Sequence, residues 1–170
     1  MPQILRVAQP ADIETVAALA REIWNSHYVS ITGQAQIDYM LARFQSAPAI
    51  AGQIAQGYEY YLVSEGSDPA GYFALVPRTE EHSAQLSKIY VRREQQGRGL
   101  GRAVMAFVEA RCAEMGIREL WLTVNRHNAE AIAFYKRMGF TTSACLVQDI
   151  GGGFVMDDYR MVKKVGPREE

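Results

Sequence analysis

Three glycines fall within five positions, at Gly97, Gly99 and Gly101, between the strand-like run LSKIYV and an apolar pattern of helical period. In that pattern Leu100, Val104, Val108, Cys112 and Met115 recur on one face, and Gly116 marks its end. A strand, a glycine turn and a helix in that order leave backbone N–H groups exposed at a helix N-terminus. Together with the helix dipole, such groups hold an anion such as phosphate. Arg92, Arg93, Arg98 and Arg102 make this segment the densest basic cluster of a chain whose formal net charge is −1. Basic character is therefore local, and no overall field draws the protein to nucleic acid or to an anionic membrane.

Spacing tests two common phosphate signatures. The dinucleotide pattern G-x-G-x-x-G needs a third glycine where Arg102 stands, counted from Gly97, or where Val104 stands, counted from Gly99. A P-loop needs Gly-Lys-Ser/Thr where the chain has Arg102 and Ala103. Both patterns fail.

The rest of the chain supplies a context. Ile13, Val16, Ala17, Ala20, Ile23 and Trp24 form one face of a first helix, and Ile37, Met40, Leu41 and Phe44 repeat the pattern in a second. SAPAIAGQIAQG reads as a short helix with Pro48 near its start and Gly57 as its stop. YEYYLVS and AGYFALV, separated by EGSDP, read as an antiparallel pair, and LSKIYV as a third strand. LWLTV is a further buried strand. Asn128 caps a helix with Ile132, Tyr135 and Met138 on its apolar side and Gly139 as its stop. SACLVQDI and DYRMVKKV close the chain around Gly151–Gly153, which permits either a mobile loop or a wide turn. The order is helices, antiparallel strands, then strand-helix-strand-helix-strand-strand, a mixed sheet covered by helices on both sides. Cys112 and Cys145 match no metal or redox spacing and are expected as buried thiols. His27, His82 and His127 are too scattered for a metal site. No signal peptide or membrane-spanning run is legible, which points to the cytoplasm.

What fits the glycines is Q-x-x-G-x-G, carried by Gln96, Gly99 and Gly101 after a strand and at a helix start. Here the chain resembles the GNAT superfamily of acetyl-CoA-dependent N-acetyltransferases. NRHNAEAIAFYKRMGF is similar to the second signature of that family, with Asn128, Ala131, Tyr135, Gly139 and Phe140 at its spacing, and DYRMVKK is similar to its last strand. The resemblance covers about Leu86 to Lys164. It implies an α/β (α+β) fold, with a mixed, mostly antiparallel central sheet, a V-shaped splay between the fourth and fifth strands, and helices on both faces. One acetyltransferase domain over residues 1–165 would be followed by a tail, 166–170.

The resemblance also implies roles. Acetyl-CoA is the cosubstrate and no metal is needed. Gln96, Gly97, Arg98, Gly99, Leu100, Gly101 and Arg102 would cradle the coenzyme pyrophosphate. The backbone of Ile89, Tyr90 and Val91 would pair with pantetheine where the strands part, and one N–H there would polarise the thioester carbonyl. Tyr135 would give the departing sulfur its proton, and Asn128 would hold the pantetheine arm, cap its helix, or both. The general base is not readable: Glu81, His82, Gln85, Asp157, Asp158 and a water chain all remain open. Trp24, His27 and Tyr28 follow the first helix into an expected loop, where aromatic rings suit a small amine or cation. The acceptor expected is the primary amine of a small molecule. Alternatives are a protein N-terminus or lysine and, in another class, a coenzyme A-binding module without catalysis. Nucleic acid and membrane are not expected partners, and the family raises a homodimer.

Overall fold

The chain starts with a strand, not a helix. β1 (Pro2–Arg6) pairs antiparallel with β2 (Glu59–Glu65), aligning Ile4 with Val63. This corrects the helix-first order, because an edge strand of five residues carries too little alternation to be read. A computed structural model describes residues 2–92, 97 and 99–166, leaving aside the side chains of His27 and Lys88.

Two compact units make up the chain: Met1–Val76 with Lys88–Val104, and Pro77–Ser87 with Met105–Glu170. In the first, β1, β2, β3 (Asp68–Arg78) and the later residues of β4 (Ser83–Val91) follow in that order. Its helices are α1 (Pro10–His27), α2 (Val29–Thr32), α3 (Gln34–Phe44) and α4 (Ala47–Ala55). Pro10 opens α1 where its missing N–H costs nothing, and Gln9 and Asp12 bridge the first turn reciprocally. Ser46 caps α4 by accepting from Ala49 N at 3.3 Å. The apolar faces meet over a core that includes Val16, Ala20, Ile37, Ile50, Tyr60 and Phe73.

In the second unit the order is the first residues of β4, then β5 (Glu119–Asn125), β7 (Phe154–Lys164) and β6 (Thr141–Gly151). α5 (Leu100–Glu114) runs on into this unit and α6 (Ala129–Arg137) follows β5. β5 alternates in burial, with Leu120, Leu122 and Val124 inward against Val108, Ile117, Phe140 and Met161 of the same core. β4 and β5 are parallel, whereas the β5–β7 and β6–β7 pairs are antiparallel. Among the described residues β4 and β5 pair only through Ser83–Gln85 and Glu119–Trp121, although the strands are nine and seven residues long.

Two expectations change. Gly151 pairs with Phe154, so Gly152 and Gly153 form a two-residue hairpin turn in place of a loop or wide turn. Their φ values of 61° and 81° give both central positions the left-handed backbone that matches strand twist. Cys112 is buried, but Cys145 is exposed on β6.

Candidate active site

The glycine turn stands as expected at the head of α5. Gly97 and Gly99 have φ of +82° and +78°, and among the described residues nothing lies within 4 Å of where a side chain would sit on either. The glycines are thus demanded by backbone conformation and not by crowding, and the space beside them is open. The first intrahelical bond runs from Ala103 N to Gly99 O at 3.1 Å. The N–H groups of Leu100, Gly101 and Arg102 precede it and are free of helical partners by position. The Leu100 side chain is buried in the core, so its contribution to a cradle is its backbone; Arg102 is exposed in the first turn. Open space, a row of N–H donors and a guanidinium fit a diphosphate. Gln96 and Arg98 lie outside the described residues. Arg92 does not serve the cradle: its guanidinium lies 2.9 Å from Glu22 and 3.8 Å from Asp68 and donates to Pro69 O.

In the strand before the turn, Ile89, Tyr90 and Val91 are half-buried. Arg92 N donates to Ala70 O at 2.8 Å, tying the end of β4 to β3. The Tyr90 ring packs 5.2 Å from Trp24, 5.6 Å from Tyr28 and 5.4 Å from Tyr72. Trp24 and Tyr28 are themselves 5.1 Å apart. Trp24 belongs to the core, while Tyr28 and Tyr90 keep part of their surface exposed. The expected loop here is helical: Trp24 and His27 lie in α1, and Tyr28 joins it to α2. Of His27 only the backbone is described. Tyr72 donates its hydroxyl to Gln45 at 3.0 Å, and burial pushes that hydroxyl well above its ordinary range. The sequence grouped Trp24 with Tyr28 but not with Tyr90 and Tyr72, which lie far along the chain.

In the second unit Asn128 caps α6, its side-chain oxygen accepting from Ala131 N at 3.3 Å. Tyr135, about two turns further along, is 7% exposed. Its ring meets Phe134 and Phe140 edge-on at 5.5 and 5.7 Å.

Among the candidate bases, Glu81 lies in an exposed 3-10 turn before β4. His82 takes a left-handed backbone, φ 53°, and its carbonyl accepts from Arg118 N at 2.7 Å and Glu119 N at 3.1 Å. These residues form the joint that starts the β4–β5 pair. Asp157 and Asp158 lie at the other end of β5, where Asp158 pairs in register with Asn125. With about 3.3 Å per residue, the two ends are about 20 Å apart. Asp157 is ion-paired with Arg126 at 3.2 Å. Asp158 is only 3% exposed; burial, then the neighbouring Asp157, pushes its carboxyl up to about 6. Among the described residues no group of three or more His, Cys, Asp and Glu side chains could hold a metal. No described helix is long and apolar enough to cross a membrane.

The glycine turn at the head of α5 and the Asn128-capped helix that carries Tyr135 are the local features on which the resemblance to acetyl-CoA-dependent acetyltransferases rests. The chain belongs to the acetyltransferase (GNAT) family, whose model matches residues 17–140. It is 26% identical over 146 residues to an uncharacterized N-acetyltransferase in the pepI 3′ region of Lactobacillus delbrueckii subsp. lactis, covering 82% of this chain and 84% of that one. It is 24% identical to the spermidine N(1)-acetyltransferase of Thermoplasma acidophilum, covering 86% and 90% of the two chains. The PaiA N-acetyltransferase of the same organism, solved with coenzyme A, superposes with a TM-score of 0.80 at 24% identity, over 96% of this chain and 99% of that one. The protein is an N-acetyltransferase, and acetyl-CoA is its cosubstrate.

Proposed function

We propose that this chain acetylates the primary amine of a small, cationic molecule, with Tyr135 as the general acid. The observation that carries this reading is the double position of Tyr90. Its backbone belongs to the strand that would bind pantetheine, and its ring belongs to the cluster with Trp24 and Tyr28. An acceptor with an apolar body and an ammonium lies well against partly exposed aromatic faces. The relative that acts on spermidine is in keeping with an acceptor of this kind.

In this reading the N–H groups at the head of α5 and Arg102 hold the diphosphate, and the backbone of Ile89, Tyr90 and Val91 aligns the pantetheine arm. One of those N–H groups donates to the thioester oxygen as negative charge develops there. The neutral amine attacks the thioester carbon, the C–S bond breaks, the Tyr135 hydroxyl donates its proton to the sulfur, and the nitrogen gives up its surplus proton to solvent, from which Tyr135 regains its own. Asn128 keeps α6 capped and so fixes where Tyr135 points. Because a thiol of pKa near 8.5 is already a tolerable leaving group, the acid accelerates the step only modestly.

The reading is tested by thiol release from acetyl-CoA with a panel of spermidine, simple alkylamines, a lysine peptide and a peptide with a free N-terminus. Small amines are expected to release thiol above background hydrolysis. Release with the peptides alone would move the assignment to a protein acetyltransferase.

A further inference from the structure

We propose that Asp158 anchors the acceptor's ammonium and takes its proton, so that Asp158 is the general base of this enzyme. The inference rests on the reading above, since it supplies the step that must precede attack by the amine.

Asp158 is 3% exposed, and among the described residues its Oδ1 is buried without a hydrogen-bond partner. A carboxylate in that condition is costly, and folded proteins give such groups a cation or a proton. Among the described residues the charges around it do not supply one. Asp157, next in the chain, is an anion and is itself held by Arg126 at 3.2 Å. Arg126 also lies over the Tyr159 ring at 5.4 Å. Arg160, two residues along the same strand face, is occupied by Glu119 at 3.3 Å and by the Trp121 ring at 4.8 Å. The facing register positions hold Asn125 on β5 and Leu146 on β6, neither of them ionisable.

The place of this carboxyl suits a ligand. It stands beside Asn125, at the carboxyl end of β5, and ligands of open sheets with parallel strands bind outside those ends. The rival candidates Glu81 and His82 precede β4, near the opposite end of β5. The chemistry agrees as well. An alkylammonium with a pKa near 10 arrives charged at neutral pH and cannot attack until it loses a proton. A carboxyl lifted by burial to about 6 is ionised at pH 7 and a better proton acceptor than an ordinary aspartate. The proton passes from the ammonium nitrogen to Asp158, the freed lone pair forms the C–N bond and the C–S bond breaks. The sulfur receives the proton of Tyr135, which is replaced from solvent; the new amide nitrogen gives up its second proton to solvent, and Asp158 returns its own there as well. The balance is ammonium plus thioester giving amide, thiol and one proton.

The test compares wild type, Asp158→Asn and Asp158→Glu in kcat/KM for the amine that wild type uses best. A parallel carbon-13 NMR titration follows the aspartate carboxyls of the full-length protein. We expect Asp158→Asn to lower kcat/KM about 10²-fold or more and to lose the acid limb that wild type shows as pH falls through about 6. Acetyl-CoA affinity should be unchanged and Asp158→Glu should recover part of the rate. A folded Asp158→Asn that keeps the wild-type rate and acid limb overturns the proposal. If wild type releases no thiol with any amine, the reading of the acceptor fails instead, and the titration alone decides for Asp158. Spermidine must then lower the midpoint of the Asp158 signal, as a bound cation does, and an unmoved midpoint overturns the inference.

Discussion

Gly71 of β3 faces the backbone of Tyr90 in β4 so closely that a side chain on the glycine would collide with the Tyr90 carbonyl oxygen, with Val91 Cα only 3.1 Å from the same point. Here a glycine is demanded by another stretch of backbone and not by its own conformation. The stretch it admits is the one that would bind pantetheine.

Gly71→Ala should therefore move β4 away from β3 or strain both. The cost expected is about 1–3 kcal/mol, as for other overpacked interiors. Urea denaturation measures it, and calorimetry should show acetyl-CoA binding weakened in the fraction that remains folded.

The glycine turn gives a different outcome. Gly99→Val forces a β-branched residue to φ near +78° and projects a side chain into open space beside the N–H row. Coenzyme binding should be lost in calorimetry while the circular dichroism of the fold survives. Arg92→Ala is the contrast, because its partners are Glu22, Asp68 and Pro69. It should cost about 1 kcal/mol or less in stability and leave coenzyme affinity within about twofold.

Tyr135→Phe keeps both edge-on ring contacts and removes only the hydroxyl. When chemistry limits turnover, a fall in kcat of about 10²-fold is expected, with acetyl-CoA affinity unaltered. Pre-steady-state thiol release separates this from a slower product step, and full turnover in the variant would remove Tyr135 from the mechanism.

Asp158 also sets how stability varies with pH. Its folded-state pKa, about 6, lies above the ordinary 3.8, so the folded protein binds this proton more tightly than the unfolded chain does. Stability from this group is therefore full below about pH 4 and is lost as pH rises through about 6. Asp158→Asn should stabilise the protein at pH 7.5 by on the order of 2 kcal/mol, and by much less at pH 4.5. Denaturation curves of both proteins at the two pH values check the sign as well as the size.

The elements that announce themselves in the sequence are those whose own residues dictate them. Gly116 and Gly139 end their helices at φ of +70° and +97°, and Asn128 caps α6, because turn and cap chemistry is local. β1 and the α1–α2 junction were not legible. The first depends on β2 as a partner, and the second replaces an expected loop with a short helix that no periodicity marks. In the site the pattern is the same. The spacing of Gly97, Gly99 and Gly101 carries the proposed cradle, but the contact of Tyr90 with Trp24, Tyr28 and Tyr72 joins residues remote in the chain. A glycine within the run AGYFALV was the available hint of the close approach at Gly71. Two adjacent aspartates inside the strand pattern FVMDDYRMVKK hinted at Asp158, but which one is buried depends on β-sheet register.

The two-glycine turn at Gly152 and Gly153 bears on how the chain reaches this fold. It joins strands of eleven residues each, so a long ladder is aligned after closing the shortest of loops. Chain entropy opposes that closure very little, and hairpins form within about 1–10 μs. The β4–β5 pair, by contrast, must wait for α5 to bridge Val91 and Glu119. This hairpin is thus among the quickest elements to zip up, and it offers β7 as a ready template on which β5 can dock.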